Sequence, residues 1–537
     1  MTIFKPLVPD VEIPDNVPLF QFLLDKASKY PQEKPAMVDY ASGFTVTYGQ
    51  LPQFFFTVAK NLRDTFNVNK GDVVAFMLPN HPLFPVLFHG TNMAGGIVTP
   101  INPLYTADEI NKQLLDSNAK IIITIPLFAE NVLAGVKGTN VKTALFLRPK
   151  EQAASELPVS DDVETLDLLS TLLRPPTNKD FEQVSFNPKE DIAVLPYSSG
   201  TTGISKGVML THHNCVANGL QIRDLESFTQ DDVLFGLLPL FHIYGFLLLC
   251  IRSLMDGTTV YYVPRFDFVQ FLTVVQEKKV TRAHLVPPII LALANHPLVD
   301  KFDLSSLNGI LSGAAPLSKE LTEKLVNRLR KNNEKFVLRQ GYGLTETSPV
   351  ISASFPDKVV YGSSGVLVAN TELRIVDPET GKDLDVDEEG EVVVRGPQVM
   401  KGYLGNDKAT REMVRDGWLH TGDIGKMDND GNLYITDRLK EMIKVSGHTI
   451  APAEIEAVLL THSGIGDCAV VGVKDEKAGE RPKAFVVKKE GVELTEDEVK
   501  TYVADRVSPH KRIRDVEFID AIPKSSSGKI LRRLLRK

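Results

Sequence analysis

The sequence predicts an α/β protein in which a large N-terminal domain, built from parallel sheets flanked by helices, precedes a small α+β C-terminal domain. Over the first two-thirds of the chain, short apolar runs such as 73–77, 121–124 and 283–287 alternate with helix-like patterns. Such alternation is typical of parallel strands connected by helices. From Tyr361 onward, glycines interrupt short strands, and a charged joint follows at 439–441. These two changes in the sequence pattern predict an N-terminal domain of more than one part and a domain boundary after it.

The two changes of texture divide the chain into three segments. An N-terminal domain is predicted over residues 1–437, and its last part, about 361–437, has short glycine-separated strands typical of an antiparallel or β-barrel-like unit. Residues 438–441 form the joint. Residues 442–537 mix strands and helices and form the predicted C-terminal domain.

Composition and charge narrow the class of protein. The chain has 537 residues and a net charge of −8, which provides no overall basic field for nucleic acid. Its three cysteines, Cys215, Cys250 and Cys468, lie far apart. An odd number of widely spaced cysteines suits buried thiols in a reducing compartment and lacks the spacing of a metal site. We therefore expect a cytoplasmic protein without a nucleic-acid partner, and the sequence leaves its oligomeric state open.

One uncharged stretch has nearly the length of a membrane span. Residues 233–251 contain no charged side chain over 19 positions, close to the roughly 20 that a spanning helix needs. Pro239 and His242 interrupt it, so we expect a buried strand, a turn and a core helix. Residues 1–14 lack the apolar core of a secretory signal. The last three residues are not Ser-Lys-Leu, so a peroxisomal location is expected only if a C-terminal signal has been lost.

A run of ten residues, 198–207, has the composition of a phosphate-binding loop. Glycines let backbone N–H groups approach an anion, hydroxyl groups add donors, and a lysine adds a mobile positive charge. The run follows a predicted buried strand, as phosphate-binding loops do. Its spacing does not fit a Walker A loop, and a flexible linker is the alternative. The candidate nucleotide-binding residues are Ser198, Ser199, Gly200, Thr201, Thr202, Gly203 and Lys206.

A second cluster, residues 340–347, follows another apolar strand. Its two glycines would let a flat ring lie against the backbone, and Tyr342 offers an aromatic face. Thr345 and Glu346 offer oxygens of the kind that Mg²⁺ prefers beside a polyphosphate. The alternative is an ordinary turn in which the threonine caps a helix and the glutamate lies in its first turn.

Two further motifs supply an acidic and a basic group. Asp423 lies in a glycine-flanked turn, 417–425, where its two oxygens could accept both ribose hydroxyls, and an Asx-turn is the alternative. Lys529 follows a flexible Ser/Gly stretch, so it can reach into a neighbouring site. A solvated basic tail is the alternative, because residues 524–537 hold six basic side chains and no acidic one.

Together the four motifs resemble those of the acyl-adenylate-forming superfamily, which includes acyl-CoA synthetases, 4-coumarate–CoA ligases and beetle luciferases. The run 198–207 resembles the signature Ser-Ser-Gly-Thr-Thr-Gly-x-Pro-Lys-Gly, except that Ser205 stands where proline is usual. The motifs follow in the family's order, and the resemblance covers nearly the whole chain. Segments 241–244, 312–316 and 437–441 are most similar to those of 4-coumarate–CoA ligases and luciferases.

This resemblance implies an ATP-dependent ligase that joins a carboxylic acid to coenzyme A through an acyl-adenylate, with Mg²⁺ as the metal. It implies that Lys529 bridges the carboxylate and the α-phosphate, and that His242 lies at the mouth of the acid pocket. Thr345 matches the residue at the α-phosphate, and Glu346 matches the Mg²⁺ partner. The remaining implied contacts to adenine and ribose are Gly313, Ala314, Ala315, Gln340, Gly341, Tyr342, Gly343, Asp423 and Arg438.

The resemblance also implies a mobile C-terminal domain that rotates about Lys440 between two half-reactions. Lys444 matches a family lysine near the intermediate, while Ser446 and Gly447 would line a narrow pantetheine tunnel. The segment 445–448, Val-Ser-Gly-His, is similar to that of acetyl- and fatty-acyl-CoA synthetases, which favours CoA as the acceptor. A different acceptor, such as oxygen or a carrier protein, and a catalytically silent binding protein are the alternatives.

The matching acid-pocket positions predict the class of acid. They are Tyr244, Leu248, Gly341, Gly343, Val350 and Ile351. Leu248 stands where some coumarate ligases use serine, and a buried substrate hydroxyl left without a partner costs about 1–3 kcal/mol. We therefore expect the protein to prefer a medium-chain fatty acid or an aryl-propenoate over caffeate. The expected aryl-propenoate has the 4-coumarate skeleton with an unsubstituted ring. Alternatively, Leu248 packs in the core and contacts no ligand.

Overall fold

The structure is a computed structural model, and it describes residues 2–148, 156–178, 180–198, 205–445, 448–475, 478–525 and 529–536. Two nine-stranded sheets and their helices form most of the N-terminal part. A five-stranded antiparallel sheet follows them, and a separate five-stranded sheet lies near the C-terminus. This α/β architecture, with a large N-terminal part and a small C-terminal part, confirms the predicted fold class.

The first large sheet is parallel in its centre and antiparallel at both edges. Strand Gly309–Ser312 is buried along its whole length, as expected of a parallel strand covered on both faces. Across the sheet, the strands are Val366–Leu367, Val350–Ala353, Val337–Gly343, Gly309–Ser312, Arg282–Leu285, Val233–Gly236, Thr259–Tyr262, Pro35–Asp39 and Thr45–Thr47.

The second large sheet carries the phosphate-loop motif near its antiparallel edge. Strand Lys206–Thr211 pairs with the short strand Tyr197–Ser198, so the motif connects two hydrogen-bonded strands. Apart from Tyr197–Ser198, the strands follow one another across the sheet in the order Gly402–Tyr403, Lys206–Thr211, Ile192–Val194, Ile97–Pro100, Val73–Phe76, Ala119–Thr124, Thr143–Phe146 and Glu164–Asp167.

The third sheet is antiparallel and open. Its strands are Glu372–Val376, Gly390–Arg395, Trp418–Met427, Val414–Arg415 and Leu433–Arg438, the last two sharing one edge of Trp418–Met427. At the opposite edge, Phe4 of the N-terminal segment donates its N–H to the carbonyl of Leu373 at 2.8 Å. Among the described residues, the strands at the two edges of this sheet do not pair with one another. The sequence left open an antiparallel or a β-barrel-like unit, and the described strands form an antiparallel sheet.

The fourth sheet forms the core of the C-terminal part. Strands Ile465–Asp475 and Gly479–Lys488 make a long antiparallel pair, and Asp515–Phe518 adds to it in parallel. Strand Ile443–Val445 pairs with the start of Gly479–Lys488, and His448–Ile450 pairs with Ile443–Val445 in turn. Helices Pro452–Leu460 and Glu496–Ala504 pack with these strands around an apolar cluster, which gives the predicted α+β arrangement.

Several helices begin at the capping residues that their sequences indicate. Thr106, Thr211 and Thr495 each accept the N–H of the third helical residue through the hydroxyl group. The α-helices before Pro452 are Leu19–Ala27, Leu51–Phe66, Leu83–Met93, Ala107–Ser117, Ala129–Gly135, Leu168–Leu172, His212–Gln221, Arg223–Glu226, Ile243–Phe246, Ser253–Met255, Phe268–Lys278, Pro287–Asn295, Lys319–Leu329 and Asp407–Met413. Short 3₁₀ turns are Tyr48–Gln50, Pro126–Phe128, Pro297–Lys301, Thr345–Thr347, Pro509–Lys511 and Arg532–Leu534.

The uncharged stretch 233–251 folds as the sequence predicts. Strand Val233–Gly236 is followed by a turn, by helix Ile243–Phe246 and by a π-helical segment, Leu247–Arg252. Nearly all of these residues are buried. Within the ranges that the structure describes, no helix is long and apolar enough to cross a membrane.

Candidate active site

The four sequence motifs meet beside strands of the two large sheets and the third sheet. Ser198, which opens the phosphate-loop motif, is hydrogen-bonded to Glu346, 148 residues away. Tyr342 from the same strand-to-turn segment is hydrogen-bonded to Asp423 of the third sheet. Lys529 lies close enough to Asp423 and Glu346 for their charges to shift its pKa. In open α/β sheets, ligands bind beyond the carboxyl ends of the parallel strands, and Glu346 lies just after the carboxyl end of strand Val337–Gly343. We refer to the place where these side chains meet as the cleft.

Glu346 is a buried carboxylate with two protein donors. Its Oε1 accepts hydrogen bonds from the hydroxyl of Ser198 at 2.8 Å and from the phenol of Tyr403 at 2.9 Å. Its backbone carbonyl accepts the N–H of Met400 at 2.9 Å, which fixes the turn that carries it. Only 6% of the residue is exposed. A carboxylate buried this far needs such donors, and its oxygens suit a hard cation.

Lys206 contacts Tyr403, the same tyrosine that donates to Glu346. Its ammonium group is 4.7 Å from the centroid of the Tyr403 ring, within the range of a cation–π contact. Ser205 donates its hydroxyl to the carbonyl of Ser198 at 3.3 Å, so the two ends of the motif are close together. The intervening predictions, on Ser199, Gly200, Thr201, Thr202 and Gly203, lie outside the described residues.

Asp423 and Tyr342 form a polar pair beside a cation. The Tyr342 hydroxyl donates to Oδ2 of Asp423 at 2.6 Å, and Arg438, paired with Asp423 across the strands, has its Nε 3.5 Å from Oδ1. Burial raises the pKa of Asp423, although the charges of Arg438 and Lys529 oppose the shift. The arrangement places carboxylate oxygens beside an aromatic ring, which suits a sugar next to a base.

Lys529 reaches this cleft from the C-terminal part. Ser525 and Lys529 are hydrogen-bonded to each other: the Ser525 N–H donates to the Lys529 carbonyl at 2.8 Å, and the Lys529 N–H donates to Ser525 Oγ at 3.1 Å. Burial lowers the pKa of Lys529, and the charge of Arg438 lowers it further, while Asp423 and Glu346 raise it. A cation held at this point can neutralise a bound anion.

His242 is neutral and its tautomer is defined. Its Nδ1 accepts the backbone N–H of Tyr244 at 3.3 Å, where it caps helix Ile243–Phe246. Burial, followed by the charge of Lys529, lowers the pKa of His242 to about 3. Since Nδ1 is an acceptor, the ring proton is on Nε2, from which His242 can donate to a carboxylate.

Among the residues that the resemblance places near adenine, Gln340 binds the protein backbone. The Gln340 side chain binds the backbone of Leu317, with Oε1 accepting the N–H at 3.0 Å and Nε2 donating to the carbonyl at 3.2 Å. Ala314 has a φ of 71°, in the left-handed region, and Ala315 follows it in a partly buried turn. Gln340 therefore holds this turn in place, whereas Ala314 and Ala315 form its surface.

Tyr244 and Gly341, two of the predicted pocket positions, both lie near Leu311. The Tyr244 hydroxyl donates to the carbonyl of Leu311 at 3.2 Å. A Cβ at Gly313 would lie 2.9 Å from the Tyr244 ring, so this glycine permits the close packing. A Cβ at Gly341 would lie 3.9 Å from Cδ1 of Leu311, and the glycine therefore leaves space above that leucine.

Val350 and Ile351 pack in different apolar clusters. Val350 belongs to the same cluster as Tyr244 and Leu248, whereas Ile351 packs with Leu367 in the cluster of the third sheet. Ile351 lies where the pairing of strands Val337–Gly343 and Val350–Ala353 shifts register, and its contact with a ligand stays a prediction. Leu248 is 1% exposed, which leaves its contact with a ligand as a prediction.

The remaining predicted residues lie at the joint between the two parts. Lys440 is exposed in the turn after strand Leu433–Arg438. Lys444 is exposed on strand Ile443–Val445, where its N–H donates to Glu480 at 2.8 Å, and the structure does not bring it to the cleft. Ser446 and Gly447 lie outside the described residues.

The sequence analysis did not identify a cluster of charged side chains at this joint. Arg532 contacts Glu441 and Glu456 through its guanidinium group, at 2.7 Å for Glu456 Oε2, and it lies 4.0 Å from Asp437. It therefore ties the segment after Lys529 to the joint. The sequence showed only a basic tail, because Glu456 and Glu441 lie 76 and 91 positions away and Asp437 lies farther still.

Comparisons with known proteins agree with this geometry. The model of the AMP-binding enzyme family matches residues 23–404, and that of the AMP-binding enzyme C-terminal domain matches residues 454–529. The chain is 42% identical over 544 residues to 4-coumarate–CoA ligase 1 of Petroselinum crispum, covering 99% of this chain and 96% of that protein. It is 40% identical over 549 residues to 4-coumarate–CoA ligase 1 of Narcissus pseudonarcissus, covering 100% and 96%.

Solved structures give the same result. ATP-bound MatB from Rhodopseudomonas palustris has a TM-score of 0.84 at 28% identity, with 96% of this chain and 98% of that chain covered. A Mycobacterium tuberculosis fatty acyl CoA synthetase has a TM-score of 0.72 at 29% identity, with 97% of each chain covered. The protein therefore belongs to the AMP-binding enzyme family, the family that the sequence motifs resemble.

Proposed function

We propose that the protein is an ATP-dependent carboxylic acid–CoA ligase that releases AMP and pyrophosphate. The observation that carries the proposal is the meeting of the separate motifs: Ser198 is hydrogen-bonded to Glu346, Tyr342 is hydrogen-bonded to Asp423, and Lys529 lies close enough to both carboxylates to interact with their charges. Membership of the AMP-binding family and 42% identity to a protein named as a 4-coumarate–CoA ligase support it.

The proposed first half-reaction brings two anions together. A carboxylate oxygen attacks the α-phosphorus of ATP, the bond from that phosphorus to the pyrophosphate oxygen breaks, and an acyl-adenylate forms. Lys529 supplies positive charge between the reactants, Lys206 supplies it at the leaving phosphates, and His242 donates to the carboxylate from Nε2. Thr345 contacts the α-phosphate in this scheme, and Asp423 with Arg438 holds the ribose.

In the proposed second half-reaction, the CoA sulfur attacks the acyl carbon and AMP leaves. We propose that residues 438–441, including Lys440, form the hinge between domains 1–437 and 442–537. Rotation there would withdraw Lys529 and bring Lys444, Ser446 and Gly447 toward the adenylate. The exposed position of Lys440 in a turn supports a hinge at this point, since an exposed turn can change its backbone angles without disturbing a core.

The donor set of the cleft fits Mg²⁺. Glu346 offers a carboxylate and Thr345 a hydroxyl, and Mg²⁺ at a nucleotide is commonly held by one or two carboxylates, phosphates and water. In the part of the chain that the structure describes, no group of three or more His, Cys, Asp or Glu side chains could hold a metal. When bound beside Glu346, the ion would neutralise phosphate charge.

CoA is the proposed acceptor, and an acceptor of another kind is the second candidate. The names of the similar ligases and the Val-Ser-Gly-His segment at 445–448 favour CoA. A catalytically silent protein is disfavoured by the contacts among Ser198, Glu346 and Tyr403, which hold a carboxylate ready for a cation. Small molecules are the proposed partners, and a net charge of −8 disfavours nucleic acid.

We also propose a cytoplasmic location, with the peroxisome as the alternative. Cys215, Cys250 and Cys468 are free and buried, which suits a reducing compartment. Fractionation of cells that produce the protein would test this, and recovery with secreted proteins would contradict it.

Leu248 is expected to set the preference for an apolar acid. Leu248→Ser should raise the caffeate-to-cinnamate ratio of kcat/KM about tenfold, since a serine can satisfy a ring hydroxyl that leucine leaves unpaired. The neighbouring Leu249→Ser is the control, because Leu249 is equally buried and is not among the pocket positions. An unchanged ratio in Leu248→Ser would place Leu248 in the core alone.

The pKa of Lys529 predicts an alkaline limit to adenylation. Lys529 must be protonated to neutralise an anion, and its pKa is lowered from the ordinary 10.5 by burial and by Arg438. Activity should therefore fall as the pH rises through the pKa of Lys529, which lies below 10.5. The fall should be seen when kcat/KM for the carboxylic acid substrate is measured against pH. Lys529→Arg should remove this limb because a guanidinium group stays charged. The same limb in Lys529→Arg would assign it to another group.

Acid-dependent exchange of radiolabelled pyrophosphate into ATP tests the proposed first half-reaction without CoA. We expect exchange with medium-chain fatty acids or cinnamate in the presence of Mg²⁺. Exchange that requires no acid, or its absence with every acid of a broad panel, would contradict the proposed function.

A further inference from the structure

Tyr403 makes two contacts that no sequence motif indicated. Its hydroxyl donates to Oε1 of Glu346 at 2.9 Å, and its ring lies 4.7 Å from the Lys206 ammonium group. One side chain thus contacts both the proposed metal-binding carboxylate and the proposed phosphate-binding lysine. The other donor to Oε1 is the hydroxyl of Ser198, at 2.8 Å.

These two donors leave the oxygens of Glu346 unequal. Oε1 accepts both hydrogen bonds, whereas no described residue donates to Oε2. A carboxylate with one oxygen engaged twice cannot rotate freely, and its second oxygen stays available for a cation. A phenol keeps its proton at neutral pH, so the Tyr403 hydroxyl can donate to the carboxylate.

The backbone around Tyr403 fixes its position. Tyr403 pairs with Val208 in the strand that begins at Lys206, and the N–H of the next residue, Leu404, donates to the carbonyl of Gly207 at 2.8 Å. The residue is 4% exposed. A buried tyrosine whose backbone is paired with this strand presents its ring and its hydroxyl with little freedom.

We propose that Tyr403 is a positioning residue for the metal and the triphosphate. Its hydroxyl holds Glu346 so that Oε2 is the oxygen left for Mg²⁺, and its ring holds the Lys206 ammonium group beside it. The two positive charges that the triphosphate needs are thereby placed by one side chain. This inference rests on the proposed function, since it concerns the same nucleotide site.

Direct binding of Mg²⁺ separates a positioning role from a structural one. Mg²⁺ is titrated by calorimetry into full-length protein saturated with a non-hydrolysable ATP analogue. We expect Tyr403→Phe to weaken Mg²⁺ binding roughly tenfold and to change analogue affinity without Mg²⁺ by less than about twofold, because the ring remains. Tyr403→Leu should weaken both, because it also removes the contact with Lys206.

Tyr48→Phe is the matched control. It removes another buried tyrosine hydroxyl, which donates to the carbonyls of Thr258 at 2.7 Å and Ser253 at 3.2 Å. We expect it to lower the melting temperature and to leave Mg²⁺ binding unchanged.

A kinetic measurement gives a second readout for Tyr403→Phe. The Mg²⁺ concentration that gives half-maximal pyrophosphate exchange should rise in this variant, with KM for the acid unchanged.

Wild-type Mg²⁺ affinity in Tyr403→Phe would overturn the inference, and so would an equal loss in Tyr48→Phe. Tyr403→Phe keeps the ring that fills the core, so the decision rests on it even if Tyr403→Leu does not fold. Wild-type protein that binds neither ATP analogue nor Mg²⁺ would contradict the proposed function itself. The two failures are therefore distinguishable.

Discussion

Lys529→Ala is expected to slow acid-dependent pyrophosphate exchange about a hundred- to a thousandfold, the range found when one preorganised stabilising group is removed. Lys529 is the cation that the C-terminal part adds to the cleft, where it interacts with Asp423 and Glu346. Without it, the carboxylate and the α-phosphate repel one another with less compensation. The measurement is the exchange rate at saturating ATP and acid.

Two controls keep this result specific to the first half-reaction. Lys524→Ala removes a lysine five positions earlier, whose Nζ binds Asp467 at 2.5 Å, and exchange should stay near wild type. Lys529→Ala should also still convert a synthetic acyl-adenylate and CoA to the thioester, because adenylation is then already complete. A wild-type exchange rate in Lys529→Ala would remove Lys529 from the proposed role.

Gly343→Ala is expected to destabilise the protein by about 3 kcal/mol and to weaken ATP binding at least tenfold, at the upper end of typical overpacking effects. An added Cβ would lie 1.9 Å from the carbonyl oxygen of Pro349, a backbone atom that cannot turn away. Gly343 and Val350 are paired across a short connection that contains Glu346, so relief of the clash must move this turn. Thermal unfolding and calorimetry with the ATP analogue measure the two effects.

Gly341→Ala, two residues earlier on the same strand, is the matched control. Its added Cβ would meet the Ser352 carbonyl at 3.3 Å and Cδ1 of Leu311 at 3.9 Å, contacts that a small shift accommodates. We expect a near-wild-type melting temperature and a smaller loss of ATP affinity than in Gly343→Ala, with a raised KM for the acid because the added Cβ lies above Leu311. Equal losses in both variants would show that the close approach at Gly343 is not decisive.

The sequence was sufficient where function depends on contiguous residues. The alternation of strands and helices predicted the α/β fold, and the uncharged stretch 233–251 was correctly expected to be a strand, a turn and a core helix. Ser198, Glu346 and Asp423 were found because each lies in a motif whose residue types are readable by themselves. The structure then brought these motifs to one cleft.

The sequence was insufficient where function depends on contacts between distant segments. Tyr403 lies 57 positions from Glu346 in an unremarkable Gly-Tyr pair, so no local pattern could connect them. The packing of Ile351 in the core of the third sheet depends on strand pairing with a register irregularity, which the sequence does not reveal. Arg532 was taken for part of a basic tail because its acidic partners come from the joint and from helix Pro452–Leu460.

A competition among acids analysed by mass spectrometry tests the central claim most directly. The full-length protein is incubated with ATP, Mg²⁺, CoA and an equimolar pool of fatty, cinnamic, benzoic and short-chain acids. We predict one dominant acyl-CoA, drawn from the medium-chain fatty acids or the unsubstituted aryl-propenoates, together with AMP and pyrophosphate. Acyl-adenylate without thioester would contradict CoA as the acceptor, and ADP in place of AMP would contradict the adenylate route altogether.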